Sequence, residues 1–306
     1  MVERLLHSIT LVLRVMRIHQ WIKNSFVFAP LLFGGKLFNP ADRRLAFLAF
    51  LSFSLTASAL YALNDWKDRN EDRAHPEKKT RPCAAGLVSG PQIAVIVALL
   101  SLGAASLAYW GCGPRVLALE ALYALVGVLY SVVLKHIVLV DVFAIALGFV
   151  LRVLAGAAAV NVPASPWLLL CTMLLALFLG FSKRKSEIDT LERKGINHRR
   201  ALGGYSAALI SQLNMILCST TVVTYSVYTA SPESVARVGA DYLVYTVIFV
   251  AYGLFRYLYL LEIERVGGNP TRLLLTDAPL AVCVVVWLLS CMLIVYRTVW
   301  LDKVLG

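Results

Sequence analysis

The stretch Ala62–Gly86, ALNDWKDRNEDRAHPEKKTRPCAAG, follows a long apolar run and is dense in both signs of charge. On a helix, Asn64, Asp65, Asp68 and Asp72 fall within an arc of about 100°. Three carboxylates and an amide oxygen on one stripe repel each other unless a cation neutralises them. Mg2+ suits such a stripe, because it takes oxygen ligands and is commonly held by one or two carboxylates together with substrate phosphates. The plainer alternative is a solvated helix end with local pairs such as Asp65–Arg69. Lys78 and Arg81 come next and can reach phosphate oxygens, in a loop stiffened by Pro76 and Pro82 and released at Gly86. Carboxylates for a metal beside cations for phosphate describe a magnesium–diphosphate site, with Asp65, Asp68 and Asp72 as metal ligands and Asn64 beside them.

The elements that must position this stretch are membrane helices. Of 306 residues, 59% are apolar and only 15% charged, and the mean hydropathy is +0.74. Soluble domains carry about a quarter charged residues, so a water-soluble protein is excluded. Runs long enough to cross a bilayer lie near 22–38, 44–63, 91–110, 115–134, 137–160, 166–182, 205–230, 240–261 and 278–298. The expected fold is therefore all-α, a polytopic membrane protein of about nine transmembrane helices in one domain over 1–306. Residues 1–20 alternate apolar positions with Arg4, Arg14 and Arg17 and lack a small-residue cleavage site, which predicts an interfacial amphipathic helix.

Basic residues concentrate in one set of alternate loops, from Lys67 to Arg81, at Lys135, from Lys183 to Arg200, and at Arg265 and Arg272. The positive-inside rule makes that side cytoplasmic, with the N-terminus inside and the C-terminus outside. Topology and attraction to anionic lipid account for about half of the net charge of +11. The six cysteines show no paired metal-ligand spacing, the five histidines form no ligand pair, and no glycine-rich phosphate loop precedes a helix. Nothing indicates nucleic-acid binding. Arg152, in GFVLRVLAG, lies mid-span and should face the bundle interior, against either a carboxylate or a substrate phosphate. Asp141, at the entry of the same span, is a candidate metal or ribose contact.

NDWKDRNED resembles the N-D-x-x-D-x-x-x-D signature of the UbiA-type membrane prenyltransferase superfamily, whose architecture is about nine helices. RIHQWIKN (17–24), DRAHPEKKTRPCAAG (72–86), YSVVLKHIVLVD (130–141) and FSKRKSEI (181–188) are similar to its polyprenyl-phosphate phosphoribosyltransferase branch, best known from mycobacterial cell-wall synthesis. The resemblance covers most of the chain and is weak over the last two spans. Ordinary superfamily members carry a second aspartate-rich motif after the sixth span. Here that position reads Lys183, Arg184, Lys185 and Glu187. Fixed cations in place of a second metal suit substrates with several separate phosphates. Serving only as a positive-inside anchor remains the alternative for this segment.

The resemblance implies transfer of 5-phosphoribose from phosphoribosyl diphosphate to a polyprenyl phosphate at the cytoplasmic face of a bacterial inner membrane, with Mg2+ as cofactor. It also implies a homo-oligomer, a trimer. The expected substrate-binding residues are Arg17, Lys23, Asn24, Lys78, Arg81, Lys135, Asp141, Arg152, Lys183, Arg184 and Glu187, the last oriented to hold Lys183. Two other readings stand beside this one: transfer of an isoprenoid from its diphosphate to an aromatic acceptor, and an ion-coupled transporter. The broken spans repeated in two halves that a transporter should show are not evident.

Overall fold

A computed structural model describes residues 10–74, 78–193, 204–238, 242–265 and 270–297. Among these there is no strand, and eight helices are long and apolar enough to cross a membrane. They are α1 (Pro40–Lys67), α2 (Gly90–Ser106, prolonged by a π-helical turn, Leu107–Cys112), α3 (Pro114–Val132), α4 (Val140–Ala159), α5 (Pro166–Arg193), α6 (Ala207–Ala230), α7 (Val247–Glu262, preceded by the 3-10 turn Tyr242–Thr246) and α8 (Ala278–Val295). The chain forms two compact units, one of Met1–Val133 with Leu151–Ala164, the other of Leu134–Val150 with Ser165–Gly306.

In the first unit, the run expected to give the first span folds as a 3-10 helix, Ile18–Phe28, followed by a short α-helix, Ala29–Phe33. Its contacts descend the length of α1. Trp21 Nε1 donates to Ser58 Oγ at 3.0 Å, Asn24 Nδ2 donates to Ser54 Oγ at 3.0 Å, and Phe28 stacks on Phe50 at 5.2 Å. Side chains three apart eclipse in a 3-10 helix, which puts Trp21, Asn24 and Val27 on the face against α1. With a rise of about 2.0 Å per residue, this short segment and the α-turn after it cover roughly 30 Å, the thickness of the hydrocarbon core. The segment is therefore no long apolar α-helix, and the described residues hold eight spans of that kind where about nine are expected from the sequence. Gly156 of α4 permits its close seating, since a Cβ there would stand 2.0 Å from the Val27 carbonyl oxygen. Residues 10–16 are helical, as expected for part of the amphipathic segment, and residues 1–9 lie outside the described residues.

Caps set the helix starts. Asn39 accepts from Ala41 N–H ahead of Pro40 at the start of α1, and Ser89 with Gln92 closes a capping box on α2. In the second unit, α5 and α6 pack through Phe178, Phe181, Ile210 and Leu217, with Tyr257 and Leu260 of α7 against them. Lys185 leaves the surface to bond Ser211 Oγ at 2.6 Å and to pair with Glu262, tying α5, α6 and α7 together. Arg256 of α7 grips Asp277 with two bonds, 3.2 and 2.7 Å, while Asp277 caps α8 by accepting from Leu280 N–H at 2.9 Å. That guanidinium holds the Asp277 carboxyl below the usual carboxylate range.

Candidate active site

The carboxylate stripe is built by a helix end that bends without losing its hydrogen bonds. Asn64 and Asp65 close α1, Asp68 is its C-cap, and Asp72 sits on the short helix Arg69–Ala74. Asp68 N–H still donates to Asn64 C=O and Asp72 N–H to Asp68 C=O, each at 2.9 Å, so the 3.6-residue register carries across the break. Asp65 and Asp72 are each only 3% exposed. Two arginines offset the cost of burying these charges. Arg17 donates Nε to Asp65 Oδ2 at 2.9 Å and pairs with Oδ1 through Nη2. Arg81 Nη1 bridges Asp65 Oδ1 at 3.1 Å and Asp72 Oδ2 at 2.7 Å. Asn64 Nδ2 donates to Asp68 Oδ2 at 3.1 Å. Arg69 does not pair with Asp65; it lies over the Trp66 ring at 4.3 Å and donates to the Trp66 carbonyl.

The following loop is pinned from two sides. Arg14 donates to Thr80 C=O at 2.8 Å and Arg73 to Ala84 C=O at 3.0 Å, which fixes the segment carrying Lys78 and Arg81. Lys78 is exposed in the one-turn helix Lys78–Thr80, and Pro76 lies outside the described residues. Cys83 is buried beneath the loop, where burial, and after it the Asp65 charge, push its thiol up to about 11. It is neutral near pH 7 and is no nucleophile.

The carboxylate and amide oxygens of the stripe are of the hard kind that divalent cations such as Mg2+ take. Among the described residues no three His, Cys, Asp or Glu side chains converge into a cage. A stripe of carboxylates with arginines alongside suits a metal that completes its shell with substrate phosphate oxygens and water.

A deeper network in the same unit joins Asn24 and Arg152. Arg152 Nε donates to Asn24 Oδ1 at 2.7 Å, its Nη2 donates to Tyr123 OH at 2.8 Å, and its guanidinium lies 4.6 Å from the Tyr123 ring centre. Asn24 and Arg152 are therefore in one buried cluster, while Lys23 is half-buried on the neighbouring position of the 3-10 helix.

In the second unit, Arg184 of α5 is the centre of a separate polar cluster. Its Nε donates to Asp141 Oδ2 at 2.8 Å and its Nη1 to Glu187 Oε2 at 2.6 Å. Lys183 lies 3.8 Å from Glu187 Oε1, so Glu187 serves both cations. Tyr205 OH donates to Asp141 Oδ1 at 2.6 Å and accepts from Leu139 N–H at 2.6 Å. Burial, and next the bond to Asp141, push the Tyr205 phenol upward, which keeps it a neutral donor. Lys135 is half-buried on the turn Leu134–His136 that leads into α4.

Sequence spacing identifies the carboxylate stripe but not its partners. The pairing of Arg17 with Asp65 and the place of Tyr205 join residues far apart in the chain, and no local signal marks them. Of the three successive cations after Ser182, Lys185 is drawn into helix packing and away from Arg184, as a rotation of 100° per residue requires.

Comparison with known proteins finds relatives that match most of the chain. The decaprenyl-phosphate phosphoribosyltransferase of Mycolicibacterium smegmatis is 29% identical over 285 residues, covering 90% of this chain and 89% of that protein. The protein of the same name from Corynebacterium glutamicum is 29% identical over 295 residues, covering 93% and 86%. A solved UbiA homolog from Archaeoglobus fulgidus bound to GPP and Mg2+ superposes with a TM-score of 0.69 at 16% identity, covering 93% of this chain and 99% of that one. The UbiA prenyltransferase family model matches residues 25–275, which take in the carboxylate stripe, the pinned loop and the Arg184 cluster. With most of its length matched and its fold shared, this chain belongs to the UbiA prenyltransferase family.

Proposed function

We propose that this protein is a membrane transferase that moves 5-phosphoribose from phosphoribosyl diphosphate to a polyprenyl phosphate and releases diphosphate. The observation that carries this reading is the character of the second polar cluster. Where a second metal-binding carboxylate face would serve a prenyl diphosphate, Arg184 and Lys183 stand, each beside Glu187. The names of the two bacterial relatives support the same donor and acceptor.

Asp65, Asp68 and Asp72 would hold Mg2+, with Asn64 beside them; the bound ion would neutralise charge developing on the diphosphate. Arg17 and Arg81 keep the buried carboxylates aligned and supply donors for diphosphate oxygens. Lys23 and Lys78 add positive charge in the same unit, where Asn24 and Arg152 hold one another in place. In the second unit Lys183 and Arg184 offer contacts to phosphate, Lys135 adds charge at the entry to α4, and Asp141, held by Tyr205, offers an acceptor to a hydroxyl. The C1–O bond to diphosphate breaks with its electron pair leaving on oxygen, and a phosphate oxygen of the lipid bonds to C1. A phosphate monoester is largely ionised at neutral pH, so no general base is needed. Catalysis rests on positioning and electrostatic stabilisation.

On this reading the carboxylate stripe faces the cytoplasm across a bacterial inner membrane, an orientation that the excess of basic residues in the loops on that side supports. The same reading takes the two compact units as parts of one membrane domain and the working assembly as a homo-trimer. Incubating purified protein with Mg2+, polyprenyl phosphate and labelled phosphoribosyl diphosphate should move label into the lipid phase. Transfer from geranyl diphosphate to an aromatic acceptor, with none from the phosphosugar, would favour the prenyltransferase reading.

A further inference from the structure

At the end of the first unit remote from Asp65, an open groove of about 420 Å3 runs between α3 and the end of α4. The remoteness follows from the helices. Cys112, just before α3, reaches Leu45 C=O at 3.6 Å near the start of α1. Leu45 and Asp65 are then roughly 30 Å apart along α1 at 1.5 Å per residue. The groove walls are Ala118, Leu119, Leu154, Ala157 and Ala158, and its only charged lining residue is Arg115 at the rim. Alanines on both helices leave the space open, and apolar walls offer nothing to water.

Depth in the bilayer is marked by two aromatic side chains. Tyr109 and Trp110 meet edge to face at 5.0 Å, and they are 48% and 83% exposed. Such residues settle at the membrane–water boundary, and Arg115 follows them across the turn at Gly113, whose φ is 97°. Arg115 is exposed, occupies the first turn of a 19-residue helix, and makes no side-chain hydrogen bond or ion pair among the described residues. A fixed cation and a helix N-terminus at headgroup depth attract an anion, and the apolar groove runs inward from that point.

We propose that this groove binds one acyl chain of an anionic phospholipid, whose phosphate is held by Arg115 in the leaflet opposite the Asp65 cluster. The site does not depend on the reaction assigned above.

The test is native mass spectrometry of the delipidated full chain, titrated with phosphatidylglycerol or phosphatidylcholine of equal acyl length, or with polyprenyl phosphate. Phosphatidylglycerol should be retained about fivefold more strongly than phosphatidylcholine, the effect of one interfacial arginine. Arg115→Gln should erase that preference. Ala158→Phe, or Ala118→Leu should the first variant lose helix content, should reduce retention of both phospholipids. Equal retention by the wild-type protein, or a preference that survives Arg115→Gln, would overturn the site. So would displacement of phosphatidylglycerol by polyprenyl phosphate, or a groove-filling variant that dissociates the oligomer while keeping its lipid. Those outcomes would assign the groove to the acceptor or to a second copy.

Discussion

Replacing Arg81 with Met should damage stability and donor binding by separable amounts. Its Nη1 bridges Asp65 and Asp72 at 3.1 and 2.7 Å. Asp65 keeps the two-point grip of Arg17 in the variant. Asp72, 3% exposed, loses the charge beside it. A buried carboxylate left unsatisfied costs about 1–3 kcal/mol or more, and the 26% exposure of the Arg81 side chain places the cost toward the lower end. If Arg81 also contacts diphosphate, losing one charge-assisted bond weakens donor affinity by about 1.5–3 kcal/mol, or roughly ten- to a hundredfold. The double variant Arg81→Met with Asp72→Asn separates the two effects. Removing the stranded charge should recover much of the thermal stability without recovering donor affinity. Thermal unfolding in detergent and calorimetric titration with phosphoribosyl diphosphate at saturating Mg2+ read both quantities. Donor affinity within threefold of wild type in Arg81→Met would refute the phosphate role, and a double variant no more stable than the single one would refute the pairing argument.

Other expectations follow from the same geometry. Asp65→Asn and Asp68→Asn should each abolish label transfer while leaving the circular dichroism spectrum and oligomer size unchanged; near-normal turnover in both would dispose of the metal site. Arg184→Ala and Lys183→Ala should weaken substrate binding about tenfold or more, with separate donor and acceptor titrations showing which phosphate is lost. The Arg184 variant should suffer more, because its removal also leaves the Asp141 carboxylate with Tyr205 as its remaining side-chain partner among the described residues. Asp277 supplies a pH dependence with a defined sign. Its folded pKa lies below the ordinary value of 3.8, so its contribution is present above that value and is lost as pH falls through the folded one. Thermal unfolding between pH 5 and pH 2 should show this acid loss, and Asp277→Asn should flatten it.

The carboxylate stripe was legible because helical spacing alone aligns Asn64, Asp65, Asp68 and Asp72, and the hydrogen bonds across Asp68 preserve that spacing. The long spans were legible because lipid demands about 20 apolar residues from an α-helix. The same rule misreads the apolar run near 22–38, which folds largely as the 3-10 helix Ile18–Phe28 and a short α-helix instead of one long span. Partners were the harder problem. Nothing near Asp65 announces Arg17, and nothing near Asp141 announces Tyr205, because tertiary folding brings them together. Arg152 was expected to face inward on energetic grounds and does so. Its neighbours Asn24 and Tyr123 come from elements that no local pattern connects to it.

The central claim is the identity of the donor, and one competition measurement addresses it. Purified protein with Mg2+ and polyprenyl phosphate is given phosphoribosyl diphosphate labelled in the ribose, with geranyl diphosphate added in increasing excess. Ribose label should enter the lipid phase in amounts matching released diphosphate, and geranyl diphosphate should suppress this only weakly. Absence of ribose label from the lipid, together with diphosphate release from geranyl diphosphate when an aromatic acceptor is supplied, would contradict that claim.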